Sequence, residues 1–564
     1  MSEKGKNGKP VLVVGAGPVG LTMACELARH GVPVRVIDKA PERTQFSKAL
    51  GIHSRTVEIL ESMGVVEKFL AEGRNAYGTN VYYNGKRIVH IVFDELVCPF
   101  PFVLMVPQSE TERLLEDHLS SFGVKVERGV ELVALEQKEG EVNVTLRGAS
   151  GSEETSTPWL SACDGSHSTI RHILDLSFDG APYEELFGSA DVKVECDLPD
   201  DEVHVLFNES GLMAMFPFGD SRWRLVFDVD ADSVDEKNPQ LEEFRKNIES
   251  RGPSGMKISD PRWLAWFRIH RRSVNEYRHG RIFLSGDAAH IHSPVGGQGM
   301  NTGIQDAYNL AWKLALVHAG AADETLLDSY HSERHPVGQA VLHGTDLATK
   351  VATIRNPIAQ QVRNKLIGYL TSLEVIQARI MRQGSMLAVN YRESPIVGEH
   401  RDGLSQVKLF GAGGSESPDL TAWFDFGKGP SAGDRAPDAT LLTPDGNDTV
   451  RLFEAVRGTR HSLLLFDGKP TEGGYKNFEE LAKSIRDQYG QFINVHVIVA
   501  GSEKPKGLDW DGPVWLDPDL AAHQVYGAGS ECLYLLRPDT YVGFRSQPAD
   551  LGVLQGFLSR IFVR

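Results

Sequence analysis

Val11-Leu12-Val13-Val14-Gly15-Ala16-Gly17-Pro18-Val19-Gly20 decides the fold of the first part of the chain. Four apolar residues run straight into a glycine turn, residues 21–30 carry helical spacing, and Val34-Arg35-Val36-Ile37 forms a second apolar run that ends in Asp38. Strand, glycine turn, helix and second strand are the unit that holds a dinucleotide. The turn Gly15, Gly17, Pro18 and Gly20 lets the backbone bend sharply and approach a pyrophosphate, whose charge then sits on a helix N-terminus. Asp38, 18 positions past Gly20, stands where a ribose hydroxyl needs an acceptor, and Lys39 beside it is a further candidate contact. This fingerprint alone does not separate NAD, NADP and FAD.

With 564 residues the chain can bury several cores, and its length suggests three or four domains. A net charge of −17 argues against nucleic acid as a partner, because such a footprint needs clustered basic residues. The first nine residues hold no apolar run, so no secretory signal is expected. No stretch approaches the roughly 18 apolar residues of a membrane span. Cys25, Cys98, Cys163, Cys196 and Cys532 form no Cys-x-x-Cys, which disfavours a disulfide framework or a zinc site. A reducing cytoplasm is the expected setting. His290 and His292 lack the Cys or acidic partners at ligand spacing that a metal would need.

The pattern of periods predicts interleaved domains in an α/β fold. Residues 1–70 read as strand, helix, strand and a helix near 54–70, whereas 71–100 are strand-like with an Asn84-Gly85 hairpin turn. Helical spacing returns over 109–122, strands over 124–147, and strand patterns dominate from about 176 to 280. Helix dominates again from 303 to about 391. We therefore expect a Rossmann-like nucleotide domain from 1–70, 101–175 and 281–397, with a β-sheet domain from 71–100 and 176–280 inserted into it. The glycine-rich residues 398–432 read as a linker. Residues 433–564 follow the strand–helix order of a thioredoxin-like domain, without a Cys-x-x-Cys at its first strand–helix junction.

Two further motifs bear on the cofactor: Ala162-Cys163-Asp164-Gly165, followed by Arg171, and Leu284-Ser285-Gly286-Asp287-Ala288-Ala289-His290. With the first glycine turn they occur in the order found in the FAD-dependent aromatic hydroxylases, the single-component flavoprotein monooxygenases, which the chain closely resembles. The helical stretch and tail that follow resemble the phenol hydroxylase branch and its polyketide-tailoring relatives. The resemblance implies that Asp287 contacts the ribityl or ribose part of FAD, where a carboxylate accepts a buried hydroxyl strongly. It links Asp164 and Arg171 to FAD and to the reduced nicotinamide, although an Asp–Arg pair that merely holds the fold together is an equal alternative. Gln108 matches the family's flavin-contacting glutamine. Lys48 stands where these enzymes commonly carry an Arg near the pyrophosphate and nicotinamide path; Arg55 could contribute there instead, or simply cover a helix face.

The run Pro294-Val295-Gly296-Gly297-Gln298-Gly299-Met300-Asn301 precedes a helical stretch. Its glycines allow backbone N–H groups to approach a flat ring, and a helix N-terminus favours the negative charge of a reduced flavin. Pro294, Gly297, Gly299, Met300 and Asn301 are therefore candidate cofactor contacts. His53 is a candidate base for a phenol proton. Met213, Met215, Phe216, Pro217, Trp223 and Pro294 are candidate lining for an apolar substrate pocket, with alternation sending only half of the strand residues toward it.

What the resemblance implies is a monooxygenase that holds FAD, takes hydride from NADPH (or NADH), and hydroxylates a phenolic or polycyclic aromatic through a C4a-hydroperoxide formed with O2. No second complete GxGxxG unit exists for the nicotinamide, which suits a transient visit. A small aromatic substrate is the expected partner, with a homodimer as the expected assembly. An epoxidase, an isoprenoid-chain reductase or a non-catalytic FAD-binding protein remain open on the same scaffold.

Overall fold

The computed structural model describes residues 8–44, 49–236, 239–293, 296–352, 374–403, 418–469 and 474–563, without the side chains of 182–185, 352 and 374. Two compact units result, Met1–Ala311 with Arg334–Leu387, and Trp312–Glu333 with Ala388–Arg564.

In the first unit, Val11–Val14 is buried at every position, as four consecutive apolar side chains require of a strand covered on both faces. It lies inside a six-stranded sheet ordered Arg278–His279, Ile282–Leu284, Leu160–Ala162, Val11–Val14, Val34–Asp38, Val126–Arg128. All neighbours pair in parallel except the first two. Chain order reverses direction between Val11–Val14 and Leu160–Ala162, which makes that crevice the topological switch point where such sheets take ligands. The helix expected over 54–70 is two helices, Ser54–Met63 and Val66–Glu72, because Gly64 takes a left-handed φ of 79° and ends the first.

Both strand-rich segments enter one eight-stranded sheet, ordered His290–Ile291, Lys257–Ser273, Asp179–Glu195, Arg222–Val229, Gly211–Gly219, Val203–Asn208, Gly78–Tyr83, Lys86–Val92. The last two strands are joined by the expected turn, with Asn84 at φ 47° and Gly85 at φ 77°, the pair of positive values that a two-residue hairpin favours.

One face of this sheet is sealed by the helix Leu241–Arg251, whose Phe244 and Ile248 are fully buried. Met213, Met215, Trp223, Leu225 and Phe227 pack there. Alternation sends Val205, Phe216 and Phe218 to the other face, where they meet Leu50, Ala76 and Met105. This corrects the expected pocket lining. Met213, Met215 and Trp223 are core beneath a helix that strand periodicity does not reveal, and Pro217, paired opposite Trp223, shares their face. Among the described candidates Phe216 alone remains on the open side.

The second unit is an eight-stranded sheet ordered Gly398–Arg401, Val542–Gln547, Cys532–Leu536, His461–Phe466, Ile493–Val499, Val514–Leu516, Thr440–Leu442, Thr449–Arg451. His461–Phe466 pairs in parallel with Ile493–Val499 and antiparallel with Cys532–Leu536, the thioredoxin-like arrangement. Leu463 and Leu465 enter one core while Leu464 and Phe466 enter another, so both faces are covered. The segment expected as a linker contributes Gly398–Arg401 to the sheet and the helix Leu420–Lys428, which buries Phe426. Its glycine cluster at 411–415 lies outside the described residues.

Residues 312–333, expected with the nucleotide domain, also belong to the second unit. There Glu333 accepts Arg537 at 2.6 and 2.9 Å, Lys313 at 2.8 Å and the Ser394 hydroxyl at 2.6 Å. Such buried charges persist only when each is paired.

Candidate functional site

Val14, Ala162 and Leu284 are direct neighbours in the sheet register, so the three motif turns that follow them leave the sheet side by side. Gly15 adopts φ 102°, and a Cβ there would stand 2.3 Å from the Cys163 carbonyl oxygen. A Cβ on Gly20 would stand 1.9 Å from the Gly15 oxygen, whereas one on Gly17 would meet nothing within 4 Å. The first and last glycines thus permit close packing, and the middle one faces open space. Asp38 accepts the Ala16 N–H at 2.6 Å and the Ala40 N–H at 2.8 Å, which fixes its carboxylate at the strand end. Each oxygen keeps a further lone pair for a hydroxyl. Lys39 is exposed beside it.

In the second turn, Asp164 Oδ2 accepts the Ile170 N–H at 3.2 Å, while Oδ1 is buried without a partner. Burial pushes this carboxyl above its ordinary range. Arg171 directs its guanidinium to the Ala288 carbonyl at 3.1 Å and the Ser166 carbonyl at 2.7 Å, tying the second turn to the third. In the third turn, Gly286, Ala288, Ala289 and His290 are buried and Asp287 alone points outward.

Gly296 and Gly297 take φ 86° and 64° just before the helix Gly299–His318. Asn301 is buried and accepts the His53 N–H at 2.9 Å while donating to Gly51 and Gly297 carbonyls, each at 2.8 Å. Its amide is committed to shaping the turn, which leaves Gly299 and Met300 to present backbone N–H groups at the helix start. His53 Nε2 lies 2.8 Å from the Gly296 carbonyl and therefore carries the proton. Burial lowers its pKa, so the ring is neutral with its Nδ1 lone pair enclosed. Gln108 accepts the Ala49 N–H at 3.2 Å and donates to Glu112 at 2.9 Å.

Arg55 fits the helix-face alternative. It is 1% exposed and donates to Glu58 at 2.9 Å inside its own helix, so it does not line a path for a visiting nicotinamide. Lys48 and Pro294 lie outside the described residues. Sequence reading passed over Asp306, which proves to be bonded to the third turn. The sequence carried no signal that singles it out, since the same helix also buries Thr302, Gln305, Asn309 and Lys313. Among the described residues no helix is long and apolar enough to cross a membrane.

These residues fit FAD. Gly15 and Gly20 pack too closely for side chains while Gly17 faces open space, the buried Asp164 Oδ1 awaits a donor, Asp287 projects from a fixed turn, and a helix N-terminus closes the set.

Residues 9–345 match the family described as FAD binding domain. The chain is 35% identical over 566 residues to 6-methylpretetramide 4-monooxygenase of Streptomyces rimosus, covering 98% of this chain and 94% of that protein. It is 34% identical over 545 residues to pentachlorophenol 4-monooxygenase of Sphingobium chlorophenolicum, covering 95% and 93%. The solved OxyS anhydrotetracycline hydroxylase from Streptomyces rimosus superposes with a TM-score of 0.74 at 29% identity over 99% of both chains. With the flavin-binding turns gathered on one sheet edge and nearly the whole length aligned to aromatic monooxygenases, the chain belongs to the FAD-dependent aromatic hydroxylases that carry a C-terminal α/β domain.

Proposed function

We propose that this flavin-dependent monooxygenase hydroxylates a phenolic or polycyclic aromatic substrate and draws its electrons from NADPH (or NADH). The convergence of three motif turns at the switch point carries this reading. Its substrate class is supported by the open sheet face. Val81, Val205, Ala214 and Val226 lie directly opposite one another across four strands, and these short side chains make a shallow bed wide enough for fused rings. Phe216 and Phe218 border that bed and supply flat apolar surface. The names of the relatives, which refer to 6-methylpretetramide, pentachlorophenol and anhydrotetracycline, fit the same class.

Bound FAD supplies acceptance of hydride from the reduced nicotinamide and activation of O2 for transfer of one oxygen atom to the ring. The chain supplies position and dryness. Asp38 and Asp287 would accept hydroxyls of the cofactor chain. The N-terminus of Gly299–His318 would favour negative charge on a flavin held beside it. The apolar wall of Phe216, Phe218, Leu50 and Met105 keeps water from the reacting atoms. His53, expected as a base, acts here as a positioning residue, because its protonated Nε2 holds the Gly296 carbonyl and its Nδ1 is shut in. All five cysteines are free thiols, which supports a reducing location, the cytoplasm.

The test is a purified preparation incubated with a panel of phenols. A yellow protein whose NADPH oxidation accelerates with a polycyclic phenol, coupled to a product bearing one more oxygen atom, is expected. Phe216→Ala should raise KM about tenfold, the loss of about 1.4 kcal/mol of contact. A colourless preparation, or NADPH loss that yields only hydrogen peroxide with every phenol, would overturn the reading.

A further inference from the structure

We infer that Asp306 is a positioning residue for the cofactor, holding the Gly286-Asp287 turn in the shape that presents Asp287 to the FAD chain. The inference rests on the assignment of this edge to FAD.

Asp306 sits fully buried in the helix Gly299–His318 and receives three donors from three separate elements. Its Oδ2 accepts the Gly286 N–H at 3.1 Å and lies 2.7 Å from His290 Nε2. Its Oδ1 accepts Arg334 Nε at 2.7 Å, from the helix Asp328–Ala352. Arg334 also donates to the Thr302 carbonyl at 3.1 Å, so the arginine grips the same helix twice. One carboxylate thereby bonds the first and last residues of Gly286-Asp287-Ala288-Ala289-His290, leaving the intervening residues little freedom.

Steric contacts reinforce the clamp. Gly286 takes φ 58°, and a Cβ on Gly303 would stand 3.0 Å from the Gly286 Cα and 2.5 Å from Val19. Turn and helix therefore meet backbone to backbone. The Ala289 N–H closes on the Gly286 carbonyl at 2.8 Å, Ser285 N–H bonds Ala162 at 3.0 Å, and Arg171 holds Ala288. Each of these bonds fixes a neighbour of Asp287, and Asp287 itself is the exposed side chain of the turn.

A buried carboxylate is a poor way to gain stability, since desolvation offsets most of the attraction to its partners. It is a good way to gain geometry, because charge-assisted bonds are short and directional. An apolar side chain in this place would take from the buried Gly286 N–H and the Arg334 Nε the acceptor they share. The arrangement is thus matched to holding a turn still rather than to filling a core.

The experiment follows release of FAD from the holoenzyme by recovery of free-flavin fluorescence, together with the visible circular dichroism of bound flavin. Asp306→Asn should release FAD about tenfold faster, about 1.4 kcal/mol weaker, and should change the dichroism of the flavin that stays bound. Asp287→Asn should behave similarly. The double variant should release no faster than Asp287→Asn within about twofold, since contacts acting through one residue do not add. Should Asp306→Asn give no soluble holoenzyme, His290→Gln decides, with faster release and altered dichroism again expected. Release at the wild-type rate in whichever of these variants is read, a lowered melting temperature with unchanged release, or full additivity in the double variant overturns the inference. A wild-type protein that carries no flavin would instead defeat the FAD assignment itself.

Discussion

Val11–Val14 in the first unit, between two parallel neighbours, and His461–Phe466 in the second, between one parallel and one antiparallel neighbour, are both fully buried strands, and both end in a turn containing a left-handed glycine. After Val14 the chain leaves space. Gly17 faces nothing within 4 Å, and the adjoining Asp164 keeps an oxygen without a partner. After Phe466 the chain fills the same place with its own side chains. Asp467 accepts Tyr475 at 2.6 Å and the Ala500 N–H at 2.8 Å, and lies 3.3 Å from His523 Nε2. His523 Nδ1 is 2.7 Å from Asp517. One strand end is left with unmet hydrogen-bonding capacity and the other is saturated, so an α/β strand end becomes a ligand site only where the chain leaves polar groups for a ligand to satisfy.

The sharpest way to break this contrast is Gly15→Ala. A left-handed backbone costs an alanine about 1–2 kcal/mol and overpacking about 1–3 kcal/mol more. Flavin affinity should fall by about 4 kcal/mol, roughly a thousandfold, seen as protein purified without yellow colour. Asp467→Ala should act on the second unit instead. A histidine stripped of a buried partner costs about 3 kcal/mol, read as a lower calorimetric transition with flavin content per folded protein unchanged. Gly468→Ala is the counterpart of the first substitution, because a Cβ there would stand 2.3 Å from the Ser530 backbone. It should cost about 2–3 kcal/mol of stability and leave FAD release untouched. If it releases flavin as Gly15→Ala does, the contrast fails.

The smallest effect is in pH dependence. Burial alone would lower the His523 pKa, but hydrogen bonds and charge from Asp467 and Asp517 outweigh it and the pKa is raised. Its stabilisation is present below the unfolded value of about 6.5 and is lost as pH rises through the higher folded value. Asp306 is the opposite case. Burial alone would raise its pKa, but Arg334 and His290 outweigh it and hold the carboxyl down. That contribution is present above about pH 3.9 and is lost as pH falls through the lower folded value. Melting curves should therefore show an alkaline slope for the second unit, flattened by His523→Gln, and an acid slope for the first.

The flavin edge was legible in the sequence because each motif carries its own local logic: apolar strand, glycine, acid. The pocket wall was legible by half. Alternation along Gly211–Gly219 separates Met213 and Met215 from Phe216, but the choice of face belongs to Leu241–Arg251, whose Phe244 and Ile248 sit one helical turn apart within a stretch otherwise dominated by strand patterns. For Arg55 two readings stood open, and Glu58 three residues on, a spacing that pairs charges on a helix, favours the helix-face one. Asp306 was beyond reach. Its partners Gly286, His290 and Arg334 come from 20 residues before, 16 before and 28 after it, and only the folded chain brings them together.

The division of Gly211–Gly219 into a sealed face and an open one has a consequence for how such an enzyme can change over generations. Because neighbouring residues point to opposite sides, one inserted amino acid within the strand would exchange Phe216 for Met215 and expose the oily underside. Drift toward new compounds is therefore confined to swapping side chains one for one, while changes in length are pushed out to the Asp220-Ser221 bend, where an extra residue leaves the register of both strands intact.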